Sequence, residues 1–231
     1  FEYIYFAMPH SVIGGKSVYE IRKQLGYELS KEDNVKAEIV VPVPDSGVPA
    51  SLGYSEGSKI NFDYGLIRNH YVGRTFIEPT QNIRQFGVRL KHSANVQTVK
   101  NKSVVLLDDS LVRGTTSVKI VRMLFESGAK EVHLRIASPP IKYSDYYGID
   151  TQEKDSLLAA KHNIDEMRDY IGCTSLKFLS IEGLYRALGY SERNNEMPQF
   201  TDHCFTGDYP TKLSDIEQIP DHTNQLSLLE E

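Results

Sequence analysis

Five residues without a charge, Ser103-Val104-Val105-Leu106-Leu107, read as a strand buried on both faces. Two aspartates end the run and a turn containing Gly114 follows. Thr116 to Ser127 then takes a helical period that predicts Val121, Leu124 and Phe125 inward and Gly128 as terminator. Glu131 to Ala137 (EVHLRIA) opens another strand. A strand, a helix of about twelve residues and a strand form the βαβ unit of a parallel sheet. The predicted fold class is therefore α/β, a mainly parallel sheet flanked by helices.

The segments upstream agree with that reading. Ser17 to Leu29 sets Val18, Ile21, Leu25 and Leu29 on one helical face. Glu38 to Val43 (EIVVPV) is a β-branched run whose exit is marked by Pro42 and Pro44. It leads through the turn Asp45-Ser46-Gly47 into a helix predicted from about Pro49 to Gly57. Phe62 to Ile67 is read as a second strand. At 231 residues, 40% hydrophobic and 25% charged, the chain suits one sizeable domain.

Charge and cysteine usage narrow the partners. A net charge of −5 argues against general binding to nucleic acid or anionic lipid. No apolar run approaches the roughly 18–20 residues of a membrane span. Cys173 and Cys204 are too few for a disulfide scaffold, which fits a reducing, cytoplasmic setting. A start on Phe1 suggests a fragment or a product of cleavage. The seven histidines show no metal-ligand spacing, and His133, alternating within a strand, is expected to be structural or on the surface.

Two segments break the alternation. Arg68 to Lys102 has no strong period, and loops of that length in compact domains are usually lids or disordered. It carries seven basic residues against one acid, Glu78, while the rest of the chain is strongly acidic. The lid is accordingly placed at about 68–102, within a domain spanning 1–190. The stretch 191–231 is polar, broken by Pro198, Pro210 and Pro220, and reads as a wrapping extension or a partly disordered tail.

The string Val104 to Ser117 (VVLLDDSLVRGTTS) carries the chemistry. Ligands of open α/β sheets bind at the carboxyl ends of strands. A helix start offers free N–H groups and a positive dipole end to a phosphate. Gly114 lets the backbone approach an anion closely, and Thr115, Thr116 and Ser117 add hydroxyl donors. Acids beside a phosphate site make sense once a polyhydroxy sugar and a divalent cation are supplied. Carboxylates accept from ribose hydroxyls and face Mg²⁺, directly or through its waters. Taken alone, a Thr/Ser cap after a strand with solvated acids would be the plainer reading; the fourteen-residue string as a whole favours a site.

This string resembles the signature of type I phosphoribosyltransferases that binds phosphoribosyl pyrophosphate (PRPP). The rest of the chain is similar to the branch of that family joined to a glutaminase half. The markers are Phe1 to Ala7 (FEYIYFA), Val43-Pro44-Asp45-Ser46, Tyr71 to Ile77, Tyr147 to Asp150, Asp165-Glu166-Met167-Arg168 with Ile171-Gly172, and Leu179 to Leu184. The resemblance implies the type I phosphoribosyltransferase fold and a glycosyltransferase of purine biosynthesis. Pyrophosphate would be displaced from C1 of PRPP by ammonia.

The same resemblance implies that Ser46, Asp108 and Asp109 are associated with Mg²⁺. It also implies that Asp45, Ser46 and Gly47 receive pyrophosphate and that Arg113, Gly114, Thr115, Thr116 and Ser117 hold the 5′-phosphate. Asp108, Asp109 and Ser110 lie along the ribose. Tyr71, Arg74 and Thr75 are the lid residues expected at the reacting centre, with no side-chain nucleophile. The glutaminase half, with its cysteine nucleophile, would precede the equivalent of Phe1, so ammonia would come from a missing or separate domain. Some relatives carry a four-cysteine iron–sulfur cluster. Here Asp145 stands at one of those positions and Cys204 is the one thiol kept, so no cluster is expected. A homo-oligomer is expected. A non-catalytic PRPP sensor and a base-salvage phosphoribosyltransferase are the alternatives.

Overall fold

The computed structural model describes residues 1–69, 92–149 and 154–213. Strands β3 (Ile39–Pro42), β6 (Ser103–Asp108), β7 (Glu131–Ile136) and β8 (Ser175–Phe178) form a parallel sheet in the order β3-β6-β7-β8. Strand alternation divides the apolar side chains between its faces. Val104 and Leu106 join one core cluster, Val105 and Leu107 the other, and all four are fully buried. Burial of each such side chain contributes about 1.5–3 kcal/mol, which is why no charge interrupts this run.

Helices α1 (Val18–Lys31) and α2 (Val48–Ser58) cover one face of the sheet. The Ser17 side chain caps α1 by accepting from Glu20 N, and Val18, Ile21, Leu25 and Leu29 are buried as their spacing predicts. The two helices cross at glycines. A Cβ on Gly26 would lie 1.8 Å from the Ala50 carbonyl oxygen, and one on Gly53 would lie 1.8 Å from that of Lys23. The opposite face is covered by the helices α4 (Thr115–Glu126) and α6 (Ile164–Ile171).

Three expectations change in detail. Phe125 is 37% exposed; the buried stripe of α4 runs through Ser117, Ile120, Val121 and Leu124, and Phe125 lies one step further round. In the predicted strand Phe62 to Ile67, Phe62 forms only an isolated bridge to Val40. Pairing begins later, where β4 (Leu66–Arg68) runs antiparallel to β5 (His92–Ala94) in a separate ribbon. Asp63, which accepts from Tyr64 N at 2.7 Å, and Gly65 interrupt the run between them.

The segment read as a period-free lid therefore starts and ends in regular structure. Its last part holds β5 and α3 (Val96–Val99), with Val99 fully buried, while residues 70–91 lie outside the described residues. In the C-terminal stretch, α8 (His203–Thr206) buries Cys204 and Phe205 in the second core cluster.

The polar members of β7 are structural. His133, mostly buried, has its ring nitrogens 2.9 Å from the Ser175 hydroxyl and 3.1 Å from that of Ser103. Arg135 pairs with Asp33, which also accepts from the Tyr54 hydroxyl at 2.6 Å. Burial alone would raise the Asp33 pKa, but these donors hold it below the usual carboxylate range. No helix among the described residues is long and apolar enough to cross a membrane.

Candidate active site

The carboxyl ends of β3 and β6 open into a cleft of about 600 Å³. Asp108 is the last residue of β6, and its Oδ1 accepts from Asp109 N at 2.9 Å. Both carboxyls titrate above the usual range, Asp108 the further. Desolvation is the first cause for each, and for Asp108 the Asp109 charge comes next. The Ser46 hydroxyl reaches Asp108 and favours its charged form. Asp109 Oδ2 is buried and meets no hydrogen-bond donor among the described residues. Arg22 supplies positive charge near Asp109, but its guanidinium is committed to the Tyr3 and Ala7 carbonyls at 2.9 and 2.8 Å. Hard oxygen donors with an orphaned oxygen among them suit a divalent cation such as Mg²⁺.

Beyond the acids, the chain turns through Ser110 to Gly114 into α4. Gly114 takes the left-handed conformation at φ 76°, and no side chain caps the helix, so its first N–H groups remain free for an anion. A Cβ there would also meet the Leu158 side chain at 2.8 Å. The loop is fixed from behind, where Leu158 N donates to the Val112 carbonyl at 2.9 Å from the start of α5 (Leu158–Lys161). Asp108, Asp109, Ser110, Arg113, Gly114, Thr115, Thr116 and Ser117 all line the cleft, as does Ser46 across from them. The 46–47 turn is braced by Gly47 N donating to the Val43 carbonyl at 2.9 Å.

Such a cleft can hold a phosphate at the helix start, hydroxyls at the two acids and a second anion near Ser46. The chain is 60% identical over 230 residues to an amidophosphoribosyltransferase of Rhizobium etli, covering 99% of this chain and 46% of that protein. It is homologous to the amidophosphoribosyltransferases. A chloroplastic amidophosphoribosyltransferase of Arabidopsis thaliana is 55% identical over 212 residues, 92% of this chain and 37% of that protein. The glutamine PRPP amidotransferase of B. subtilis, solved with ADP and GMP, superposes with a TM-score of 0.83 at 49% identity, over 91% of this chain and 46% of its own. The fold is thus that of a type I phosphoribosyltransferase. No protein-family model matches the chain. The chain spans about half the length of the curated amidophosphoribosyltransferases it matches.

Placement of the sequence-predicted residues is uneven. Asp45 and Gly47 do not contribute to the cleft wall: the Asp45 carboxylate pairs with Arg68, and Gly47 packs beneath the turn against the Leu107 carbonyl. Tyr71, Arg74 and Thr75 lie outside the described residues. Phe1, Tyr5, Phe6, His92 and Ile149 line the cleft without having been assigned to it. Phe1 to Ala7 and Tyr147 to Asp150 are markers of the family resemblance, which was the available signal for the aromatics and Ile149. His92 had none, since it stands in a stretch without period.

At the expected cluster position, Asp145 Oδ2 lies 2.7 Å from His203 Nε2 and the Tyr209 ring stacks on that imidazole. Cys173 and Cys204 are both free and buried, and burial pushes the Cys204 thiol up to about 11.

Proposed function

We propose that this chain is the phosphoribosyltransferase half of an amidophosphoribosyltransferase, joining ammonia to C1 of PRPP with release of pyrophosphate. The observation that carries the reading is one cleft holding both an acid pair with an orphaned buried oxygen and an uncapped helix start. The product would be 5-phosphoribosylamine, for purine synthesis. The ammonia would come from a glutaminase domain outside this chain, and a cytoplasmic setting would keep both thiols reduced.

In this reading the first N–H groups of α4, with Arg113 and the Thr115, Thr116 and Ser117 hydroxyls, bind the 5′-phosphate. Asp108 and Asp109 accept from the ribose hydroxyls, and their charge faces the positive character that grows on the ring as the C1–O bond breaks. The electron pair leaves with pyrophosphate, received at Ser46 by the turn that Asp45 and Gly47 frame, while nitrogen bonds to C1 and gives up a proton. Mg²⁺, when bound near Ser46, Asp108 and Asp109, supplies positive charge opposite the leaving oxygens. Tyr71, Arg74 and Thr75 are assigned to a lid over the reacting centre.

Calorimetry tests the site directly. PRPP should bind only with a divalent cation, and Asp108→Asn or Asp109→Asn should weaken it by roughly 10- to 100-fold, the range for hydrogen bonds to a charged group. Equal affinity of the native chain and both variants would sink the assignment.

A further inference from the structure

The turn proposed to receive pyrophosphate is braced from two sides. From the sheet, Val43 N donates to the Leu107 carbonyl at 2.8 Å and Gly47 N to the Val43 carbonyl at 2.9 Å. From the other side comes the β4–β5 ribbon. In its register Arg68 stands opposite His92, and each reaches one of two consecutive residues of the turn. Arg68 pairs with the Asp45 carboxylate, and His92 Nε2 lies 3.3 Å from the Pro44 carbonyl oxygen.

A carbonyl can only accept, so Nε2 carries the proton in that contact. Pro44 has no N–H, and its carbonyl is its one polar backbone group. That oxygen is the end of a dipole in the wall of a cleft meant for an anion, where a free carbonyl would repel the charge. A donor on it draws off that partial charge and fixes the Pro44–Asp45 peptide plane, one residue before Ser46. His92 lines the same cleft as Ser46 and Asp108. Its Nδ1 is buried without a hydrogen-bond partner among the described residues. Burying a polar nitrogen unpaired is costly, and a leucine would fill such space without that cost. The imidazole is therefore better explained by its Nε2 donor than by packing.

We propose that His92 is a positioning residue for the anion-receiving turn, holding the Pro44 carbonyl away from the bound leaving group, with Arg68 securing the adjacent Asp45. This rests on the reading of the cleft given above and adds to it a residue outside the phosphoribosyltransferase signature. Loss of the donor should weaken whatever binds at the turn and leave binding at the helix start unchanged.

Two probes separate those ends: magnesium pyrophosphate for the turn and ribose 5-phosphate for the start of α4. Titration of the chain by calorimetry should give a His92→Leu variant that binds pyrophosphate roughly 2- to 12-fold more weakly, the span of one neutral hydrogen bond. Its affinity for ribose 5-phosphate should stay native. His92→Gln, which keeps an N–H donor, should recover most of the loss. Unchanged pyrophosphate affinity in His92→Leu would overturn the assignment. So would equal weakening of both probes, or failure of His92→Gln to recover, since either marks a merely structural role. If the native chain bound neither probe, the reading of the cleft would fail first and this inference with it.

Discussion

Asp108 and Asp109 show how a residue's surroundings set its use. Two adjacent, desolvated carboxyls are pushed toward protonation, and positive charge in the cleft would favour the ionised pair. Arg22 cannot turn to them, because Tyr3 and Ala7 hold its guanidinium. A bound divalent cation would supply that charge, which ties ionisation of the acids to binding of the cation. Arg74 belongs to the same electrostatic account. If it acts on charge that grows on pyrophosphate as the bond breaks, Arg74→Ala should lower kcat by more than it weakens PRPP binding. Steady-state kinetics beside a direct binding titration will separate the two; a loss confined to KM would make Arg74 an ordinary substrate contact.

At the scale of elements, the α1–α2 crossing and the β7 network carry distinct predictions. Gly26 meets the Ala50 backbone so closely that a methyl group forces the helices apart. Gly26→Ala should cost about 1–3 kcal/mol in a denaturant titration, the range for overpacking, and no loss would mean the crossing is looser than described. His133 stays neutral in the fold because burial, and then the Arg135 charge, lower its pKa from 6.5. The unfolded chain takes up the proton first as pH falls past that value, so this contribution is full above it and lost below it. The melting temperature should fall between about pH 7.5 and about pH 5.5, and His133→Gln should make that fall shallower. An identical slope would remove His133 from the account.

The elements also show what the residues made legible. Strands β3, β6 and β7 and helices α1, α2 and α4 announce themselves through continuous apolar runs or a 3.6-residue period. The acids and the helix start fall where the strand-to-helix turn requires. β8 is a four-residue edge strand alternating Ser175, Leu176, Lys177 and Phe178, too short and too polar to stand out. α6 carries a readable signal of its own, the Asn163–Glu166 capping box. Among the described residues β4 and β5 pair only with each other, and pairing between short segments far apart in the chain leaves no local period. His92 was invisible for that reason: its position depends on the ribbon meeting the Pro44 turn.

For the whole molecule, the matched amidophosphoribosyltransferases are about twice as long as this chain, and the proposed function gives it the part that uses ammonia. In that proposal the cleft, the acid pair and the helix start bind PRPP. The most direct test is pyrophosphate release from PRPP and Mg²⁺ by this chain, with ammonia, with glutamine free of ammonia, and with a panel of purine and pyrimidine bases. The account predicts release with ammonia and with neither of the others. Turnover with a base but not with ammonia, or with glutamine alone, would contradict it.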